Sequence, residues 1–366
     1  MTYKDHHDYL GSGLMDSTSA AETRLVCPAL ITTNIFNTPG TAEKVADSLS
    51  EVQRSLFLAE LAYYQGDINK AYMACRLLQH NELTVTQQIG VGELLGLVSI
   101  YRSSRLLYEE ALAYIEAAPT TTDDERIVKQ FHLASLQSVL YDNGGFPEWF
   151  TQGHFEKMSH CNQPYAYFFY AKYVLVSCQQ ASMRYKGFYG DLNIMRAATA
   201  VCEPLIDVVH GAGTLIIEIA LRLVCAIAWH DAGDDERALV HINRAIELAL
   251  PDRLYAPLAE YGVQLHGLLF DSLRNQSPEA YKQVKQINQN LIESWVNLHN
   301  DVLARNLSHE LTVREYEVAR LASYGFTNAE IAMKLGISLG STKQTLHHVM
   351  VKLGINSRKE IGDYII

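Results

Sequence analysis

Thr327-Asn-Ala-Glu-Ile-Ala-Met-Lys-Leu-Gly-Ile-Ser-Leu-Gly-Ser-Thr-Lys-Gln-Thr-Leu-His-His-Val-Met-Val-Lys-Leu-Gly354 reads as a short helix, a tight turn and a second helix. Thr327 stands three residues before Glu330, the spacing of a capping box, and Ser338 is placed to cap the second helix. Gly336 and Gly354 suit the left-handed breaks that end each helix. On the second helix Thr342, Leu346, Val349 and Leu353 fall on one face, with Lys343, Gln344, His347, His348 and Val351 opposite. No acid occurs from Ile331 to Lys359, while Lys334, Lys343, Lys352, Arg358 and Lys359 supply five positive charges. A helix pressed into the major groove of DNA needs such a face, because cations displace counterions from phosphates and carboxylates are repelled. The bland alternative is a helical bundle with an ordinary solvated face.

Two further hydroxyl–carboxylate pairs flank this segment, Thr312 with Glu315 and Ser357 with Glu360. They predict helices over about Val313–Ser323, Asn328–Leu335, Ser338 to Leu353, and Arg358–Ile366, with Gly325 closing the first. An ordered set of four capped helices favours a DNA-reading unit over the bland alternative.

At this point a resemblance is specific. Leu311-Thr-Val-Arg-Glu-Tyr-Glu-Val, Thr327-Asn-Ala-Glu-Ile-Ala, Leu335-Gly-Ile-Ser and Lys352-Leu-Gly-Ile resemble the LuxR-type helix-turn-helix domain over about residues 307–366. The resemblance implies a four-helix domain whose third helix reads the major groove and whose fourth pairs two copies. It implies base-edge positions at Lys343, Gln344 and His347. Lysine suits guanine acceptors, glutamine pairs bidentately with adenine, and histidine does either according to tautomer. Thr327, Ser338, Ser341, His348 and Lys352 complete the expected DNA-contacting set. The sequence departs from the family pattern where Leu339 replaces an acid, Thr342 a buried valine, and Val351 a residue that is commonly basic. The Thr342 hydroxyl must therefore bond back to a helix carbonyl.

Upstream, residues 42–304 show apolar positions at helical spacing between short polar turns. Leu58-Ala-Glu-Leu-Ala-Tyr-Tyr-Gln-Gly-Asp-Ile-Asn-Lys-Ala71 and Leu223-Val-Cys-Ala-Ile-Ala-Trp-His-Asp-Ala-Gly-Asp-Asp-Glu-Arg-Ala238 are alike: apolar helix, Gly-Asp turn, second helix opening on a small alanine. Gly66 and Gly233 are 167 residues apart, close to five periods of about 34. Helices are predicted between them at about 87–101, 103–118, 126–141, 164–180 and 191–209. This is the logic of tetratricopeptide repeats, and Gly233–Tyr261 resembles the repeats of MalT-like regulators. Those proteins carry an ATPase module, whereas no GxxxxGK[ST] occurs here. The fold expected is all-α: a partly disordered tail at 1–41, a tetratricopeptide-like α-solenoid at 42–304 and a LuxR-type domain at 305–366. Pro278–Ala304 is the expected connecting helix.

Charge divides along the same line. Residues 307–366 hold seven Lys/Arg and six Asp/Glu, which leaves −12 of the chain's net −11 on the other 306 residues. An acidic body argues against wrapping by nucleic acid and confines DNA contact to the C-terminal head. Six cysteines without a CxxC pair read as reduced packing thiols, and polar Met1–Ser19 lacks the apolar core of a signal peptide. The expectation is a soluble, cytoplasmic protein. His154, Glu156, His160 and Cys161 lack the spacing of a metal site, and no nucleophile elbow or phosphate loop is present, so neither an enzyme nor a cofactor is expected.

One stretch of the body stands out. Lys157–Gly190 has no acid, four basic residues and nine aromatic ones. Tyr165, Tyr170, Tyr173, Lys172, Arg184 and Tyr185 are the candidate pocket for a small anionic or aromatic effector. The competing reading is that these rings pack helix on helix. The expected function is a DNA-binding transcription regulator with an effector-sensing body. The expected partners are double-stranded DNA, the effector or a peptide, RNA polymerase and a second copy of the chain. The alternative is a peptide- or protein-interaction scaffold with secondary DNA binding.

Overall fold

The computed structural model describes residues 29–140, 145–184, 190–303, 311–323 and 325–364. Among these every regular element is helical, as expected for an all-α chain. The body comprises α1 (Thr32–Ile35), α2 (Ala42–Asp47), α3 (Glu51–Gln65), α4 (Ile68–Leu78), α5 (Val85–Tyr101), α6 (Arg105–Glu116) and α7 (Asp123–Val139). It continues through α8 (Glu148–Thr151), α9 (Gln163–Arg184), α10 (Gly190–Gly211), α11 (Leu215–Asp231), α12 (Asp235–Ala249), α13 (Tyr255–Glu260), α14 (His266–Gln276) and α15 (Pro278–Leu303). The head holds α16 (Val313–Ser323), α17 (Asn328–Lys334), α18 (Leu339–Leu353) and a 3-10 turn at Arg358–Asp363.

The two look-alike segments build the same hairpin. Gly66 and Gly233 both take left-handed φ values, +85° and +80°, which glycine adopts without steric cost. Asp67 and Asp234 then cap the next helix by accepting from Lys70 N and Arg237 N, each at 3.1 Å. Ala71 and Ala238 are fully buried at the crossing, where a larger side chain would push the helices apart. Neighbouring helices α3–α4, α5–α6, α9–α10, α10–α11 and α11–α12 pack closely in sequence order.

The two ends of this series meet. Tyr63 on α3 donates to Glu260 Oε1 at 2.7 Å, Gln65 donates to the Asp252 carbonyl at 3.0 Å, and α13 packs on α3. These contacts join the first hairpin of the series to α13. α5 and α11 are apolar on nearly every side and buried along most of their length.

Of the expected tail, residues 29–36 pack into the body. Ala29, Leu30, Ile31, Thr32, Thr33 and Phe36 are all buried. Glu60 accepts from Ile31 N at 2.9 Å, Thr32 N at 2.8 Å and the Thr32 hydroxyl at 2.5 Å. Asn162 Oδ1 accepts from Ala29 N at 3.0 Å. The strap needs glycine beneath it: a Cβ on Gly90 of α5 would lie 1.7 Å from the Ala29 carbonyl oxygen. Residues 1–28 lie outside the described residues.

α15 is more than a connector. Its buried positions Ala280, Val284, Asn288, Leu291, Val296 and Leu298 press it onto α13, α14, α5 and α6. Asn288 donates to the Ala259 carbonyl at 2.8 Å and Trp295 to the Val139 carbonyl at 2.9 Å. Ala304, the expected last residue of this helix, lies outside the described residues.

The head has its own core of Val318, Ala319, Ala322, Ile331, Leu346, Val349, Leu353, Ile355 and Ile361. The fourth helix predicted at Arg358–Ile366 is instead the short 3-10 turn. Ser357 Oγ accepts from Lys359 N at 3.3 Å rather than from Glu360 N, which bonds the Ser357 carbonyl at 3.0 Å. With Ile361 as its one buried residue, the segment follows the tighter i→i+3 pattern. No helix among the described residues is long and apolar enough to cross a membrane.

Candidate nucleic-acid interface and interior cluster

Local capping sets the geometry of the head. Thr327 N donates to Glu330 Oε2 at 2.6 Å while Thr327 Oγ1 accepts from Glu330 N at 3.3 Å, a complete capping box at α17. Thr312 and Glu315 exchange the same pair of bonds at 2.7 and 3.4 Å. Ser338 Oγ caps α18 by accepting from Ser341 N at 3.0 Å. α18 then runs for four turns with Thr342, Leu346, Val349 and Leu353 buried. The Thr342 hydroxyl does bond back, to the Ser338 carbonyl at 3.2 Å.

On the other face Ser341, Lys343, Gln344, His347, His348 and Val351 are exposed, and Thr327 and Ser338 join them at the helix starts. The His347 and His348 rings lie 6.2 Å apart. No acid interrupts this face, and the N-terminal turn of α18 sets its remaining free amides beside Lys343. Two of the five cations counted in the sequence serve the head internally instead. Lys352 reaches Glu315 Oε2 at 2.7 Å and ties α18 to α16. Burial acts to raise the Glu315 carboxyl, but the bonds from Lys352 and Thr312 outweigh it and hold the group below its ordinary value. Arg358 donates to Asn328 Oδ1 at 2.7 Å and to the Phe326 carbonyl, fixing the loop before α17. Neither pairing was legible in the sequence, since the partners lie 37 and 30 residues away.

In the body, the six candidate effector residues divide. Tyr165 and Lys172 share one face of α9 with Phe168 and Phe169, while Tyr170 and Tyr173 lie on the other. Tyr170 packs edge-on to Phe155 with centroids 5.1 Å apart, and Tyr173 against Phe150 at 6.1 Å. For these two rings the helix-on-helix reading describes the surroundings. Arg184 ends α9 with its side chain outside the described set, and Tyr185 lies outside the described residues.

The inner face is polar. Tyr165 donates to Glu93 Oε1 at 2.9 Å and its ring stacks on His132, whose Nδ1 is 3.5 Å from Glu93 Oε2. Lys172 Nζ lies over the Phe168 and Phe169 rings at 5.4 and 5.1 Å. Glu260 accepts from Tyr63 at 2.7 Å and Tyr101 at 3.4 Å. Glu260 ends α13 as an exposed residue beside these tyrosines. Desolvation pushes the Glu260 carboxyl up, against the hydrogen bond from Tyr63 and the charge of Lys172. Desolvation also pulls the Lys172 ammonium down, against the charges of Glu260 and Glu93. Thus the stretch that is acid-free in sequence meets carboxylates brought by α5 and α13. An open groove of about 600 Å³ between α6 and α7, lined by Leu112, Leu133 and Pro147 among others, is separate from this cluster.

Of the residues set aside as metal ligands, exposed His154 pairs with Glu156 at 3.1 Å, and Cys161 turns to Ser159 Oγ at 3.5 Å.

Comparison with known proteins bears on the head. Residues 309–365 match the GerE family, described as bacterial regulatory proteins of the luxR family. The C-terminal segment is a luxR-family domain. The oxygen regulatory protein NreC of Staphylococcus aureus, from strains JH9, JH1 and Mu3, is 31% identical over 90 residues. That match covers 24% of this chain and 41% of NreC, so the chain spans less than half the length of these curated relatives. No solved structure matches the chain. The luxR-family match accords with a helix-turn-helix unit built from α17 and α18, and with a role in transcription regulation.

Proposed function

We propose that this chain is a sequence-specific DNA-binding transcription regulator in which α18 enters the major groove. The observation that carries the reading is the exposed, acid-free face of α18 in a domain that matches the luxR family. Lys343, Gln344 and His347 stand where base edges would be met. Thr327, Ser338, Ser341 and His348 stand toward phosphates, with Lys352 joining them from its pairing with Glu315. The body, through α15, is the sensing unit. Its effector is a small molecule that offers a donor to Glu260 and an acceptor to Lys172, flanked by the Tyr101 and Phe168 rings. The scaffold reading is weaker, because among the described residues α3 and α13 pack together instead of framing an open face.

Titration of fluorescent genomic fragments at several salt concentrations tests the DNA role. A steep fall of affinity with salt and one preferred fragment are expected; flat or absent binding favours the scaffold. Lys343→Ala should cost about 1–3 kcal/mol on the preferred fragment and relax its specificity. Unchanged discrimination between fragments would remove Lys343 from base reading. A screen of small zwitterionic and aromatic metabolites for a raised melting midpoint tests the sensing role.

A further inference from the structure

Three helices in the second half of the body bring one ligating atom each to a single point. Glu203 comes from α10, Cys225 from α11 and His241 from α12, and their ligating atoms all lie within 4.8 Å of one another. His241 Nε2 is 3.6 Å from Cys225 Sγ and 3.6 Å from Glu203 Oε1. One ring nitrogen thus faces both a thiol and a carboxylate. A protonated Nε2 serves Glu203 and leaves the thiol without an acceptor there; a lone pair on Nε2 serves the thiol and repels the carboxylate. The separation from the Glu203 oxygen also exceeds an ordinary N–H···O bond. A tetrahedral zinc site has ligand-to-ligand edges of about 3.3–3.6 Å, from metal distances near 2.0 Å to nitrogen or oxygen and 2.3 Å to sulfur.

We propose that Glu203, Cys225 and His241 form a metal site for a zinc-class divalent ion, joining α10, α11 and α12. The donor set, one sulfur, one imidazole nitrogen and one carboxylate oxygen, suits that ion rather than a hard cation such as magnesium. Trp229 Nε1 donates to Glu203 Oε1 at 3.0 Å and so orients the carboxylate, as outer-shell partners of metal ligands do. Cys225 is fully buried, whereas the Glu203 side chain is 46% exposed, so the ion enters from the Glu203 side and a water completes its coordination. The nearby Arg222 is tied to Glu218 at 2.7 Å, which limits its opposition to a second cation. On binding, the Cys225 thiol releases its proton to solvent and ligates as thiolate, and no electron is transferred.

The test uses the full chain without an affinity tag, stripped with chelator and titrated with cobalt(II). One equivalent should develop thiolate-to-cobalt charge-transfer absorption together with the visible bands of a tetrahedral ion, and zinc should displace it. Cys225→Ser should abolish the charge-transfer absorption, and Glu203→Ala or His241→Ala should weaken binding at least about tenfold. Cys75→Ser, in the distant α4, should change nothing. Glu203→Ala changes a half-exposed side chain, so it keeps the test decisive if Cys225→Ser fails to fold. Absence of charge-transfer absorption at stoichiometric cobalt, or its survival in Cys225→Ser, would overturn the site. So would unaltered affinity in folded Glu203→Ala.

Discussion

The head and the body stop their helices alike, with local caps, but join them over very different distances along the chain. In the head, α16, α17 and α18 are each capped by a hydroxyl whose partner is three residues away. In the body the decisive polar bonds are remote: Asn162 holds Ala29 from 133 residues away and Tyr63 holds Glu260 from 197. A unit built on local bonds has its form written in short words. A unit whose helices are joined by remote bonds depends on its whole series packing together.

The contrast can be broken experimentally, beginning with the largest effect. Val349→Asp places a carboxylate in the nine-residue head core. It should unfold the head at a cost of more than about 4 kcal/mol and abolish DNA binding. A body melting transition that stays at its wild-type midpoint supports independent units; one that moves with the head removes the division. Glu60→Ala leaves two buried amides and a hydroxyl without their acceptor. It should destabilise the body by about 3 kcal/mol or more and leave the head's transition in place. An unchanged body midpoint would show that the strap at 29–36 contributes little.

The same glutamate gives a signed pH effect. Desolvation raises its carboxyl to about 7, against the opposing bonds from Thr32 and Ile31. The folded body therefore holds a proton that the unfolded chain releases, and stability falls as pH rises from about 4.5 to about 7. Relative to Glu60→Gln, wild-type stability should fall by about 2–3 kcal/mol between pH 5 and pH 8. Denaturant melts at both values check this, and a difference of opposite sign would contradict a buried, protonated Glu60. The smallest effect belongs to the head. Thr342→Val deletes the hydroxyl bond to Ser338, whose carbonyl still accepts from Thr342 N at 3.0 Å. Stability should move by less than about 1 kcal/mol, and a larger loss in a chemical melt would give the hydroxyl a role beyond satisfying itself.

The head was legible because its signals are local. The helix at Val313–Ser323 and the one ending at Leu353 lie where the caps and glycines place them, and the buried face of α18 follows from spacing alone. Within it, Arg358–Asp363 misled because a serine and a glutamate three apart satisfy the spacing of a capping box without the bond being made. In the body, the Gly-Asp turns and their buried alanines were equally readable, since each hairpin carries its own turn chemistry.

By itself, then, the sequence determined an all-helical chain, an acidic body, two matching hairpins and a head whose α18 has one apolar and one acid-free face. These follow from periodicity, caps and charge, which act over a few residues. The tertiary structure alone decided that α13 packs on α3 and that residues 29–36 are part of the core. It also decided that the acid-free aromatic stretch faces Glu93 and Glu260. Glu203, Cys225 and His241 stand 22 and 16 residues apart in sequence, and only the packing of α10, α11 and α12 brings them within 4.8 Å. Such convergences depend on which helix faces which, and no local pattern along one helix encodes its neighbour across the interior.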